Sequence, residues 1–545
     1  MNRPNWRCVR LMNLVLTVTL GVSSPRSELW LAANHLRQAQ SPATAIEKRI
    51  VPGSPVTPSL TQAYDPEKGQ RFVVNAEHRI PADMIVQGDS VILRAKGLEA
   101  TQVREARWTL KKASGKPVLT AREKPLEAVF RADGFGENLI EFSALAGGKR
   151  ITAETTVVVE FSTANMLVSR QRVSMPTDEP SKPFVRRPPL EANNHREQCT
   201  ARNPHTGRLV TFWQVNYLEG QPDEGPMGVA VMQSGDHGVT WTGQRYLYSN
   251  YPDNSGWGTI GWNQNGNDGK GEFLLFTCSH VRSPGNRLML FRSRDDGDSW
   301  QHLGDYQSPI AKEFQRDNAL LTYFGVNRMV ATKRGTLVAP TVNNYYVRAL
   351  WSDDNGASWH SSNLNQNFPQ GDENAIVETA NGGKLILLAR PHGGGSPIRN
   401  HRFESTDGGR NWSVAGKSTL PTAGVNLGLD KIAQPGQPQH GHVLYASAAT
   451  RTGPHKGRQR TVLAINDDAV NVDESRWDVR LLWDGQANYS DVLYLPEDRS
   501  IFVSIETIQP GKESPLGYEA IRYFKLSYRY WQHLPRYKVA FPGQD

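Results

Sequence analysis

The sequence predicts an all-β protein, a six-bladed β-propeller preceded by a small immunoglobulin-like β-sandwich. Three observations carry this prediction. From Arg71 onward, short runs rich in β-branched and aromatic residues alternate with Gly, Pro and Asn/Asp turns. One pattern, Ser-x-Asp-x-Gly-x-x-Trp, occurs four times with its Trp at 241, 300, 359 and 412, and these spacings of 59, 59 and 53 residues mark a repeat architecture. At that period the region 191–545 divides into about six units, within the usual range of propellers.

The elements follow in order. Arg3, Arg7 and Arg10 precede the apolar stretch Leu11–Val22, which is too short to span a bilayer and reads as the core of a signal peptide over residues 1–24. That places the protein outside the cell or in a periplasm; an uncleaved anchor is the other reading. Small residues suit cleavage both at Ser23–Ser24 and at Ala32–Ala33. No later stretch is apolar enough to cross a membrane. Residues 25–68, rich in Pro, Ser, Ala and Gln without periodicity, read as a flexible lead-in. Residues 69–162 hold the strand-like runs DSVILRAKGL, EARWTLKKA, LEAVFRA, NLIEFSAL and ITAETTVVVEF, a density that suits a small sandwich. The Pro-rich segment within 163–190 reads as a linker, and the propeller takes 191–545.

Composition narrows the function. Charged residues are 21% and hydrophobic residues 38% of the chain, the balance of a soluble globular protein. The net charge of +8 includes the three N-terminal arginines, and no basic run is interleaved with aromatics, so a nucleic-acid partner is not implied. Cys199 and Cys278, the cysteines outside the signal peptide, lack metal or redox spacing; a disulfide and two buried thiols are both open readings. His195, His205 and His392 lack metal spacing too, and no cofactor is expected.

The repeated pattern has a physical logic. Its Asp can accept backbone N–H groups within its own turn, its Gly supplies a positive φ, and its Trp packs back on the hairpin. Each copy is therefore expected to be a structural hairpin tip rather than a catalytic centre. Asn466-Asp-Asp468 followed by Trp477 reads as an eroded fifth copy.

These repeats resemble the Asp box, or bacterial neuraminidase repeat, of the sialidases, and the resemblance extends over nearly all of residues 191–545. In that family three arginines hold a substrate carboxylate, a Tyr–Glu pair supplies the nucleophile, and an Asp serves as acid/base. The run from Glu373 to Arg390 resembles the segment in which the catalytic Glu precedes a strand pair ending in the second arginine, making Glu373 the base. Asn488-Tyr489-Ser490-Asp491 resembles the nucleophile segment and implies Tyr489. Ile505-Glu506 resembles the end of the same hairpin, where Glu506 would orient the first arginine, Arg196. Arg460, opening Arg460-Thr-Val-Leu463, is implied as the third arginine, with Arg458 a rival on the same strand face. Asp223 sits where the acid/base is expected, beside Glu219 and Glu224. Gly335–Pro340 resembles the strand before the third box. The chain departs from the family at Arg196, which lacks the aromatic-Arg-Ile-Pro setting; the literal Arg79-Ile80-Pro81 lies in the sandwich region. Arg328 replaces a small or apolar family position; contact with substrate is one reading, and a surface or structural use is the expected one.

The chemistry agrees with these residue types. A sialic acid carries a carboxylate on its anomeric carbon, which guanidinium groups grip through planar hydrogen bonds. The same carboxylate would repel an acidic nucleophile, so a neutral tyrosine serves, with a base to take its proton. The resemblance implies a retaining exo-α-sialidase that releases a terminal sialic acid or a related 2-keto sugar acid from sialylated or other acidic glycans; the signal peptide adds the expectation of secretion, and a monomer is expected. The alternatives are a non-catalytic glycan-binding propeller and a propeller lyase acting on uronate polymers.

Overall fold

The computed structural model describes residues 30–32, 45–51, 83–169, 194–217, 227–249, 254–280, 287–305, 322–343, 345–362, 368–392, 398–451, 458–507 and 520–538. The expected signal peptide, the linker from residue 170 on, and Asp223 with Glu219 and Glu224 lie outside them. Among the described residues the regular structure is strand apart from four short helical turns, and no helix is long and apolar enough to cross a membrane.

The N-terminal part forms two sheets around one apolar core. The first holds Trp30–Ala32, Ile46–Val51, Ser90–Ala95, Glu127–Arg131 and Val118–Ala121 in that order. The second holds Val103–Lys112, Gly136–Ala146 and Lys149–Ser169, with Ile85–Val86 parallel to the last. Val91, Leu93 and Phe130 of one sheet meet Ile140, Phe142 and Val157 of the other. Part of the expected lead-in is thus ordered. Ile46–Val51 pairs with Ser90–Ala95, and Ile46 and Ile50 enter the core. The last strand also runs on to Ser169, past residue 162, where the sequence suggests the sandwich ends.

Six antiparallel sheets follow. Sheet I comprises Asn194–Arg202, Leu209–Asn216, Met227–Ser234 and Thr242–Ser249. Sheet II comprises Asn254–Asn263, Glu272–His280, Arg287–Ser293 and Gln301–Asp305, with Asn327–Arg328 added parallel to its first strand. Sheet III is built on Thr322–Phe324, Leu337–Asn343, Tyr346–Ser352 and His360–Ser361. Sheet IV comprises Gly371–Glu378, Leu385–Pro391, His401–Ser405 and Ser413–Lys417. Sheet V comprises Gly428–Lys431, Val443–Thr450, Gln459–Asn466 and Trp477–Gln486. Sheet VI has Ser490–Leu495, Ser500–Thr507 and Ala520–Ser527, and its fourth strand is the far end of Lys149–Ser169, with Leu526 opposite Phe161 and Ala520 opposite Ser169.

Each sheet is covered on both faces, which is why strands such as Leu209–Asn216 and Ser500–Thr507 are buried at every position instead of alternating. The apolar cores join I to II, II to III, III to IV, IV to V, V to VI, and VI back to I, where Leu209 and Trp213 meet Phe502 and Tyr523.

The four Asp-box patterns are the hairpins between the third and fourth strands of sheets I to IV. In the second box, Ser293 Oγ donates to Asp295 Oδ1 at 2.8 Å and accepts from Gly297 N at 2.8 Å, while Ser299 N donates to Asp295 Oδ1 at 2.8 Å. The other three repeat the Ser-to-Asp and Gly-to-Ser bonds. Gly297 has φ +89°, and a Cβ there would come within 2.6 Å of Val210 in sheet I, so glycine is required twice over. The box tryptophans do more than pack on their own hairpins. Trp359 stands edge-on to Phe276 of sheet II with ring centres 4.7 Å apart, and Trp241 lies against Phe502 and Tyr523 of sheet VI. The eroded copy occupies the corresponding hairpin of sheet V, where Asp468 accepts backbone N–H groups from Val470 and Asn471.

Arg328 has the structural use. Its guanidinium bonds Asp491 Oδ1 at 2.5 Å, Leu429 O at 2.5 Å, Thr200 O at 3.3 Å and Val492 O, tying sheets I, V and VI to the strand on sheet II. Cys199 and Cys278 are both buried free thiols, which closes the disulfide reading.

Candidate active site

The sheets bring one end of several strands together. Arg196 and Glu373 lie near the starts of the first strands of sheets I and IV, and Tyr489 immediately precedes the first strand of sheet VI. Arg390 and Glu506 lie near the ends of the second strands of sheets IV and VI, which run antiparallel to the first, and so reach the same end. The backbone is irregular beside several of these residues. The pairing register shifts between Arg196 and Cys199 and again between Gly371 and Asn374, and Glu197 has φ +56°. Such bulges re-aim side chains away from the plain alternation of a strand.

At the centre, Tyr489 Oη donates to Glu373 Oε1. Arg390 Nη1 donates to both oxygens of the same carboxylate, at 2.8 and 2.7 Å. Burial works to raise the Glu373 carboxyl, but the Arg390 charge and the Tyr489 hydrogen bond outweigh it and hold the group below its ordinary value. Burial, reinforced by the Glu373 charge, pushes the Tyr489 phenol well above its ordinary value, so the phenol keeps its proton at rest and points it at a carboxylate.

Arg196 is fully buried, with its guanidinium carbon 5.2 Å from the centre of the Tyr489 ring. Its Nε lies 3.7 Å from Glu506 Oε2, an ion pair rather than a direct hydrogen bond. Glu506 also accepts Glu197 N at 2.6 Å and Tyr489 N at 3.4 Å, so one carboxylate positions the arginine strand and the tyrosine together. Burial raises the Glu506 carboxyl, and the Arg196 charge offsets this only in part.

The two candidates for the third arginine, Arg460 and Arg458, lie in different surroundings. Arg460 turns away and pairs with Asp484 Oδ1 at 2.9 Å, whereas the Arg458 guanidinium carbon stands 5.8 Å from the Tyr489 ring centre, and the Arg458 charge acts on both Glu373 and Glu506. Arg460 has φ +64°, and the pairing register shifts across it, so residues 458 and 460 do not share a face.

Sequence reasoning also missed Glu197. Its carboxylate is buried 3.8 Å from Arg196 Nη2, and its charge bears on the Tyr489 phenol. Nothing in the residue types around it marks it out. His195 stays a neutral structural group: Trp213 Nε1 donates to its Nδ1 at 3.1 Å, and burial pushes its pKa down to about 4. Among the described residues no cluster of three or more His, Cys, Asp or Glu is arranged to hold a metal ion.

The BNR repeat-like domain family matches residues 207–501, more than half of the chain. The chain belongs to this family. A sialidase of Paraclostridium sordellii is 26% identical to this BNR-repeat protein over 236 residues, 38% of the chain and 54% of the relative. A sialidase of Clostridium perfringens is 28% identical over 210 residues, 34% of the chain and 52% of the relative. The chain thus spans about half the length of the curated relatives it matches. Among solved structures, the Hadza microbial sialidase Hz136 superposes with a TM-score of 0.51 at 15% identity, over 82% of this chain and 95% of that one, a likeness of fold. The BNR-repeat protein is accordingly all-β with a sialidase-like fold.

Proposed function

We propose that the protein is a secreted, retaining exo-α-sialidase that releases a terminal sialic acid, or a related 2-keto sugar acid, from glycans. The hydrogen bond from the Tyr489 hydroxyl to a Glu373 carboxylate already gripped by Arg390 carries this reading. A lectin needs the arginines but no phenol–carboxylate couple, and a lyase needs a base without that couple. In the same reading the six sheets are the six blades of a propeller, which the cycle of shared cores supports, and the N-terminal pair of sheets is an immunoglobulin-like sandwich.

The reaction follows from the charges. Arg196, Arg390 and Arg458 hold the sugar's carboxylate; the hydrogen bonds of Arg390 to Glu373 all use Nη1, leaving its other N–H groups for substrate. Tyr489 Oη attacks the anomeric carbon as Glu373 takes the phenol proton, and the bond to the leaving oxygen breaks. Asp223, assigned by resemblance, protonates that oxygen and then takes a proton from the water that cleaves the tyrosyl–sugar bond, while Glu373 returns its proton to the departing Tyr489 oxygen. Two displacements at one carbon retain its configuration. Tyr489→Phe keeps the ring and removes the attacking oxygen, so it is expected to fold normally and to lose about 10³-fold or more in kcat. A 3-fluoro-sialosyl fluoride is expected to label a peptide containing Tyr489. Near-normal turnover by Tyr489→Phe would overturn the mechanism.

A further inference from the structure

We propose that Tyr345 and His392 form an aromatic platform at the rim of the site, receiving the saccharide leaving group of the substrate. The inference rests on the sialidase reading and adds a subsite to it. Tyr345 has φ +63°, a conformation that a bulky residue rarely adopts and that persists only where its surroundings fix it. Gly371 N donates to Tyr345 O at 2.8 Å, fastening this strained turn to the start of the strand that carries Glu373. The Tyr345 ring then stacks on His392, with centroids 3.6 Å apart and planes at 27°.

That stack is joined to the reacting groups by a continuous chain of contacts. His392 Nδ1 lies 3.8 Å from Asp372 Oδ2, which lies 3.8 Å from Arg390 Nη1, which bonds Glu373, which accepts the Tyr489 proton. Arg390 lies two contacts further in along this chain and Tyr489 four, so an acidic sugar held over Tyr489 by the arginines would direct its next ring outward, toward Tyr345 and His392. Both rings are half-buried, and pyranose rings lay their C–H faces on such aromatic surfaces. Among the described residues the Tyr345 ring belongs to no apolar cluster joining the sheets.

The test compares 3′-sialyllactose, whose leaving group is a disaccharide, with sialosyl fluoride, whose leaving group is a halide. Tyr345→Asn removes the ring while keeping a residue that tolerates the left-handed backbone. It is expected to lower the ratio of kcat/KM for sialyllactose to that for sialosyl fluoride by about tenfold, the size of one aromatic contact, mainly through KM. Tyr345→Phe keeps the stack and should hold the ratio near the parent's. His392→Ala, which removes the other half of the stack, should lower it as Tyr345→Asn does and provides a second variant should Tyr345→Asn fail to fold. An unchanged ratio in folded Tyr345→Asn or His392→Ala overturns the platform alone. A parent that cleaves neither compound overturns the sialidase reading and the platform with it.

Discussion

Glu373 stands between burial, which favours its proton, and Arg390, which favours its charge, and the arginine prevails. An acid held below its ordinary value of 4.5 in the folded chain binds a proton more weakly there than in the unfolded chain. Its carboxylate therefore stabilises the fold above that value, and the stabilisation is lost as pH falls through the folded value. The stability advantage of the parent over Glu373→Gln, measured by urea denaturation, is expected to be larger at pH 7 than below about pH 4; a difference that does not vary with pH would contradict the account. Arg458 and Arg460 give a second prediction. Arg458→Ala is expected to lower kcat/KM for a sialoside by about 10- to 100-fold, the range for losing one charged hydrogen bond. Arg460→Ala, paired with Asp484 away from Tyr489, should change it by less than about threefold in the same assay. The sequence could not separate these two arginines. Strand alternation puts both on one face, and the bulge that parts them is centred on an arginine with positive φ, not on a glycine or asparagine that would betray it. The sequence could point to Tyr489 and Glu373 because each lies in a contiguous segment that resembles the family pattern, and the fold brings the two side chains together.

The hairpin tips are the most legible elements, because Ser, Asp and Gly of each box bond within eight residues, and Trp241, Trp359 and Trp412 donate to the glycine of their own box. What the sequence withholds is the neighbour that each tip touches: Trp359 reaches back to Phe276 and Gly297 abuts Val210, so a box fastens one sheet to the sheet before it. Burial opposes the charge of Asp295, but the hydrogen bonds from Ser299 and Ser293 outweigh it and hold that carboxyl below its ordinary value. Asp295→Ala is expected to lower the melting temperature, at a cost of about 1–3 kcal/mol. It should leave turnover per folded molecule unchanged, since the box lies at the opposite end of the strands from Tyr489; a fall in kcat at an unaltered melting temperature would contradict this role. Sheet VI has no box for a topological reason. Its third and fourth strands come from distant parts of the chain, so no hairpin joins them.

At the scale of the whole molecule, the strand Lys149–Ser169 is one continuous element with two antiparallel partners, Gly136–Ala146 near its beginning and Ala520–Ser527 near its end, besides the short parallel Ile85–Val86. Phe161 seals the junction, stacked on Tyr530 with ring centres 4.4 Å apart, while Arg529 pairs with Glu160 and Asp83. Such a pairing cannot be read from local pattern, because the partners lie far apart in sequence and the Pro-rich stretch after Ser169 looks like a boundary. Removing residues 1–190 would bare the edge of Ala520–Ser527, an open template for association. That truncated chain is expected to aggregate on expression, whereas one lacking only residues 1–24, which leaves Trp30–Ala32 on Ile46–Val51, should stay soluble and melt cooperatively; size-exclusion chromatography and circular dichroism check both. The shared strand also imposes a timetable. During synthesis Phe161–Ser169 emerges about 350 residues before its second partner, a delay of roughly 20–70 s at ordinary elongation rates. The N-terminal sheets can form early and hold that strand extended, but sheet VI cannot complete until Ala520–Ser527 has been made, so the nascent protein carries a waiting edge throughout the assembly of the other five sheets.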